Sequence, residues 1–335
     1  MKNLQELLFT KNLRRSFLVF TFTAVLSVTL VLTMTGSRIY IDSIEEHAYA
    51  STAEMQNQVQ KSVDLKLEDI EKTLKLLGES RAVQGYLVVD EDREQGKRVE
   101  LETEVRNLLL EYSAVHRDYL NIVLASSLGH YLSNDSYRIQ KQDLSEEKWY
   151  QDAVRAEGRP VVISTSIGRN LQDWRNYSSD SYVSVSQAIY GTKSRELIGV
   201  ALIDLDKRSI QSLVGDITLG QTGFVFIMDS KGNILYTPEN KVVYRINPAW
   251  FLEAQSGSFK CRIQEDQYRI IYNQSEYTRL TTVGLYDMGK TIEGVSRVQR
   301  VSVLLAVLCC GVALVWSALF SKTITTPISN LSRLM

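Results

Sequence analysis

Cysteine is too scarce in this sequence to hold a fold by disulfides. There are three in 335 residues; Cys309 and Cys310 are adjacent in an apolar run, and Cys261 stands apart. The region before that run therefore has no intramolecular disulfide and must fold on an apolar core. Histidine is equally rare: His47, His116 and His130 are dispersed, without the H-E-x-x-H spacing of a zinc site. No G-x-S-x-G elbow and no phosphate-binding glycine loop is present. We therefore expect no catalytic residue, no metal and no cofactor in this chain. A basic excess is missing too: 38 Lys and Arg face 39 Asp and Glu, so nothing is built to grip nucleic acid. Asn134, Asn176 and Asn273 open N-x-S triplets, which would matter only in a eukaryotic secretory pathway and are read as chance.

Charge is absent altogether from two stretches, residues 16–36 (SFLVFTFTAVLSVTLVLTMTG) and 301–320 (VSVLLAVLCCGVALVWSALF). A helix needs about 20 mainly apolar residues to cross a bilayer, and both stretches are predicted to span one. The rival for the first is a cleaved signal peptide, whose apolar core is only about 7–15 residues long and lies next to its cleavage site. Here the run is longer, and the triplet Ala48-Tyr49-Ala50 falls well past its end. An uncleaved anchor is the better reading. Lys2, Lys11, Arg14 and Arg15 against Glu6 precede the first span; Lys322 and Arg333 follow the second without an acid. Both ends are basic and the middle mildly acidic, which puts residues 1–15 and 321–335 in the cytoplasm of a cell-membrane protein and residues 37–300 outside.

After the first span, residues 37–80 lack proline and read as one long helix. Val59, Val63, Leu67, Ile70, Leu74 and Leu77 step by three and four along it, one apolar stripe. Such a stripe pairs with a partner subunit or packs on its own domain; the pattern leaves both open. About 40 helical residues reach ~60 Å. A second helix is predicted over 97–115, so the long helices occupy 37–115. From there the pattern is that of strands. Residues 119–125 and 130–133 form a hairpin, 160–164 is a strand, and 181–189 with 197–205 form another hairpin, with a short helix near 151–156. This gives a distal five-stranded antiparallel module over about 116–215. A smaller version, about 216–290, has strands at 223–229, 234–236, 258–263, 267–272 and 280–286, and a last helix starts near Met288. The fold class is thus α+β, with two transmembrane helices flanking an external domain.

Three short motifs carry a resemblance: Lys148-Trp149-Tyr150 at a helix start, the strand Gly199-Val200-Ala201-Leu202-Ile203-Asp204, and the run from Gly220 to Asp229 followed by Gly232. With the two-span plan and tandem sheets, they resemble the double Cache sensor domain, a tandem PAS-like fold. Ile324-Thr325-Thr326-Pro327-Ile328 resembles the opening of a HAMP linker. Independently of that, Pro327 suits the first turn of a helix, and Ile324, Ile328, Leu331 and Met335 form a seam for a parallel partner. The whole is most similar to the N-terminal half of Gram-positive membrane histidine kinases that regulate carbohydrate-related genes, and a chain ending after one HAMP helix is read as a fragment of such a protein.

The resemblance implies a ligand in the distal module. Trp149 and Tyr150 match the family's aromatic pair, and Asp204 the aspartate that meets the amino group in members binding amino acids. Those members carry an arginine two residues before the tryptophan, where this chain has Glu147. An acid there repels a carboxylate, so the expected ligand is neutral or cationic, or arrives on a binding protein. The plain alternatives remain: Trp149 and Tyr150 closing a core, and Asp204 capping the helix near Lys207. Tyr131, Tyr182, Asp173 and Trp174 are further candidates, and residues 168–180 read as a lid or a solvated surface. The functional expectation is the input half of a homodimeric sensor histidine kinase signalling to a cytoplasmic response regulator. A methyl-accepting chemotaxis receptor and a membrane-tethered binding or adhesion protein are the alternatives.

Overall fold

The computed structural model describes residues 13–90, 94–165, 167–178, 180–215, 223–238, 242–251 and 254–320. The linker-like positions Ile324, Pro327, Ile328 and Leu331 lie outside the described residues. The chain forms two compact units, Ser51–Tyr286 and a second made of Met1–Ala50 with Asp287–Met335.

Helix α1 (Leu13–Glu79) is one helix of 67 residues. The predicted first span and the predicted long helix are thus continuous, as expected where no proline interrupts the hydrogen-bond ladder. In the flanking unit its apolar side chains, among them Phe20, Val28, Val31, Leu32 and Met34, are exposed. Uncovered apolar surface of that length is what a bilayer covers. Among the described residues this is the one helix long and apolar enough to cross a membrane. Helix α6 (Met288–Phe320) contains a shorter apolar stretch, Arg300–Trp316.

In the central unit the stripe on α1 settles its own question. Val59, Val63, Leu67, Ile70, Leu74 and Leu77 are 0–3% exposed and join one core cluster with residues of α2 (Arg81–Val88), α3 (Gln95–Val115) and the distal sheet. The stripe packs on its own domain. Helix α2 was not apparent in the sequence; eight residues leave too short a pattern to read.

The distal sheet contains β1 (Tyr119–Ser126), β2 (Tyr131–Ser133), β4 (Val161–Ile163), β6 (Tyr182–Tyr190) and β7 (Leu197–Asp206), in the order β2-β1-β7-β6-β4 with every pair antiparallel. Successive side chains alternate between its faces. Ile122, Leu124, Ala201 and Ile203 face the helices, while Val123, Ala125, Val200 and Leu202 build a separate cluster on the other face. Both faces are covered, so β1 is buried along its whole length. Gly199 lets β1 and β7 approach: a Cβ there would stand 2.5 Å from the Ala125 carbonyl oxygen. Across the second face lie helix α4 (Lys148–Arg155) and a two-stranded strap, β3 (Ser136–Arg138) with β5 (Leu171–Asp173). A second five-stranded sheet, ordered β10-β11-β12-β8-β9, follows from β8 (Gly223–Met228), β9 (Ile234–Tyr236), β10 (Ser256–Ile263), β11 (Asp266–Gln274) and β12 (Thr281–Asp287).

The packing of α1 makes a simple prediction. Ile70→Ala, at a fully buried position, should cost about 2–5 kcal/mol, whereas Leu76→Ala, 58% exposed on the same helix, should stay within about 0.5 kcal/mol. Urea unfolding of the two variants checks it; equal small effects would mean the stripe is not a core.

Candidate ligand-binding site

Helix α4 is short and held at both sides. Asp143 accepts a hydrogen bond from the Ser145 backbone N–H at 2.9 Å, closing the 3-10 turn Leu144–Glu146 that leads into it. Glu147 stands at its N-terminus, where an acid suits the helix dipole. The spacing of Trp149, Tyr150 and Ala153 buries one face of α4 against the sheet. The Ser186 hydroxyl donates to the Trp149 carbonyl at 3.2 Å, fixing α4 to β6. Trp149 and Tyr150 meet edge to face at 5.8 Å, and burial, followed by the Asp143 charge, pushes the Tyr150 hydroxyl up to about 12.

One end of the same sheet face is polar. Register places Asn121, Asp204 and Ser184 side by side on β1, β7 and β6. Asp204 Oδ2 accepts from Asn121 Nδ2 at 3.1 Å, and Oδ1 accepts from the Ser184 hydroxyl at 2.5 Å. The row continues to the strap: Asn121 Nδ2 donates to Ser136 Oγ at 3.1 Å, and Ser133 Oγ donates to Asn121 Oδ1 at 2.6 Å. A charge this deep needs a counter-ion. It is Arg169, whose two terminal nitrogens reach Asp204 at 2.8 and 2.7 Å, with the side chains only 8% and 3% exposed. Its guanidinium also lies 5.3 Å from the centre of the Tyr182 ring. Burial alone would lower the arginine's pKa; the charge and hydrogen bonds of Asp204 outweigh it and hold it above its usual value.

Next to this pair is a cavity of about 200 Å³ lined by Trp149, Ile163, Thr165, Ile167, Arg169 and Asp229, together with Glu147, Lys148, Asp152, Lys231 and Asn233. Its far wall is the β8–β9 turn. Asp229 Oδ1 accepts from the backbone N–H groups of Lys231 and Asn233, both at 2.8 Å, and the Ser164 hydroxyl donates to Oδ2. Burial raises the pKa of Asp229, but these bonds prevail and hold it below the usual carboxylate range.

Of the seven candidate residues predicted from sequence, the cavity wall includes Trp149 alone. Tyr150 is core. Asp204 and Tyr182 reach the cavity only through Arg169, and the capping alternative for Asp204 falls away because Asp206 performs it, accepting from the Arg208 N–H at 2.9 Å. Tyr131 accepts from the Arg138 N–H in the strap. Asp173 caps a turn through the Tyr177 N–H at 2.7 Å, and Trp174, 70% exposed, lies on Tyr137. Arg169 went unnoticed in the polar loop. The signal that would have found it is the need of a carboxylate in an apolar strand for a buried cation.

The Cache domain family matches residues 40–295. The chain belongs to that family. Two relatives of this Cache sensor are a probable methyl-accepting chemotaxis protein of Bacillus thuringiensis, 23% identical over 194 residues, and the methyl-accepting chemotaxis protein McpC of Bacillus subtilis, 24% identical over 189. Each match takes in 56% of this chain but only 28% and 27% of the relatives, so the chain spans about a quarter of their length. The same fold occurs in the ligand-binding domain of the Pseudomonas fluorescens chemoreceptor CtaA, solved with L-isoleucine (TM-score 0.55, 13% identity, 75% of this chain and 97% of that one). It occurs also in the sensory domain of the Campylobacter jejuni chemoreceptor Tlp3 (TM-score 0.53, 17% identity, 76% and 98%). This chain is a Cache sensor domain, and the two relatives it matches are chemotaxis proteins rather than the histidine kinases that the sequence resemblance had favoured.

Two consequences are measurable. Asp204→Ala leaves the Arg169 cation buried without its partner and should cost about 3–5 kcal/mol, while Trp174→Ala should change stability by no more than about 0.5 kcal/mol; thermal unfolding compares them, and a mild Asp204→Ala would contradict the pairing. For Asp229 the folded pKa is depressed, so its stabilisation is present above the unfolded value of about 3.9 and lost as pH falls through the folded value. Urea midpoints of the wild type and Asp229→Asn should therefore differ at pH 5–7, begin to converge below about pH 4 and meet only below the folded value. A gap independent of pH would overturn the assignment.

Proposed function

We propose that this chain is the sensory front end of a methyl-accepting chemotaxis-type receptor, and that the cavity between α4, β4 and the β8–β9 turn receives a small extracellular molecule. The observation that carries this reading is the family match over residues 40–295 in a chain whose curated relatives are chemotaxis proteins. The solved neighbours bound to small molecules support a small-molecule ligand here. The long apolar segment of α1 supports membrane attachment. In this reading residues 301–320 form a second span, the sensor lies outside the cell, and the receptor works as a homodimer.

The mechanism is a two-state shift. A ligand wedged between α4 and the β8–β9 turn favours one packing of those walls. The bias reaches the membrane through the second sheet and the chain that leaves β12. A ligand moves such an equilibrium only by its differential affinity for the two states, typically worth about 1–3 kcal/mol of coupling.

Thermal unfolding of the full chain in lipid nanodiscs, screened against sugars, amino acids, amines and organic acids, is the test. A ligand at 100 times its dissociation constant adds about 2.7 kcal/mol and a clear rise in melting temperature. Thr165→Trp, an exposed position on the cavity rim, should abolish the rise and leave the unliganded melting temperature unchanged. A rise that survives this variant puts the site elsewhere. With a ligand in hand, the chain is exchanged for the matching part of Bacillus subtilis McpC; a swimming response to that ligand is expected, and its absence despite intact binding would argue against the chemotaxis output.

A further inference from the structure

Two buried hydrogen-bond donors on residues that line the cavity lack acceptors. Trp149 Nε1–H and Arg169 Nε–H are both buried and unpartnered, and both residues line the same cavity. The Trp149 residue is 4% exposed and the Arg169 side chain 8%. Buried donors normally find acceptors, and leaving one bare is costly. The other nitrogens of Arg169 are engaged: Nη1 donates to Asp204 and to Ser184 Oγ at 3.1 Å, and Nη2 donates to Asp204.

Asp204 is equally committed. It accepts from Asn121, from Ser184 and twice from Arg169, which fills the four or so lone-pair positions of a carboxylate. A ligand ammonium reaches it only by expelling Arg169. The remaining charges on the cavity favour neither sign. Asp152 is paired with Arg155 at 3.0 Å, and Asp229 is satisfied by Ser164, Lys231 and Asn233. That leaves Lys148 and Lys231 against Glu147 and the still ionised Asp229, so the unfilled N–H donors rather than the net charge set the ligand class, around walls made apolar by Val161, Val162, Ile163 and Ile167.

We infer that the ligand is a small carboxylate without an ammonium group, whose oxygens accept the Trp149 indole N–H and the Arg169 Nε–H while a short apolar body lies against Ile163. This rests on the reading of the cavity as the sensing site. It reverses the neutral-or-cationic expectation that Glu147 had suggested, because the chain's own arginine already occupies the aspartate that an amine would need.

The test uses the full chain in nanodiscs and three matched probe series: straight and branched carboxylates of two to six carbons, the corresponding α-amino acids, and the corresponding amines. At least one carboxylate should raise the melting temperature, with its amino acid at least about 10-fold weaker and its amine inactive. Arg169→Lys keeps a cation for Asp204 but removes the Nε–H, and Trp149→Phe keeps a ring but removes the indole N–H. Each should weaken the carboxylate by about 10-fold, the loss of one hydrogen bond, with the unliganded melting temperature showing that the variant is folded. Binding confined to amino acids, amines or sugars overturns the ligand class and leaves the sensing function intact. A carboxylate indifferent to both substitutions overturns the site. Silence in all three series and with sugars overturns both readings together.

Discussion

A carboxylate in the middle of a sheet covered on both faces has to be neutralised where it stands. Asp204 lies in β7 between two buried neighbours, Asn121 and Ser184, and water does not reach it. Removing one such ion from water costs several kcal/mol even after the protein relaxes, roughly what its partner must restore. Arg169 restores it with a bidentate bond, and the loop carrying Arg169 is thereby drawn over the sheet. The strap follows from the same constraint. Asn121, held by Asp204, also bonds Ser133 and Ser136, so one polar row ties three strands of the sheet to the first strand of the strap. The cavity is the space left between this row and α4.

The parts of the fold written in local patterns were legible. Alternating or continuous apolar runs separated by turn residues located both hairpins of the distal sheet and all the strands of the second sheet, since each needs only its own residues and its neighbours'. The uninterrupted α1 was legible for the same reason. What the stripe on α1 faces was not, because a partner helix and a domain core ask for the same spacing. Strands β3 (Ser-Tyr-Arg) and β5 (Leu-Gln-Asp) carry no apolar run and emerged only from their pairing.

The site was less legible than the scaffold for a related reason. The Lys148-Trp149-Tyr150 motif marks where α4 begins and which face it buries, and it led to Trp149. It carries no information about Arg169, which lies 35 positions before Asp204 in a loop of ordinary polar composition. Likewise Asp204 and Asp206 are equivalent as helix caps on paper. Their separation by two residues puts both on one side of the strand, but only Asp206 stands beside the first turn of α5 (Lys207–Gly215), and only Asp204 lies deep in the sheet.

The same geometry bears on how a bound molecule would act at a distance. Arg169 and Ser164 are five residues apart and both line the cavity, and Ser164 donates to Asp229 in the turn of the second sheet. Asp229 is saturated by that hydroxyl and by the turn's own N–H groups, so it cannot slide; it keeps the bond or loses it. Gly232, at φ +84°, gives the turn a conformation that other residues rarely adopt, which limits its alternatives further. A cavity bounded by a rigid turn on one side and a buried ion pair on the other has few ways to yield. That makes discrete rearrangement, rather than gradual deformation, the form in which occupancy of this cavity would be felt by the second sheet.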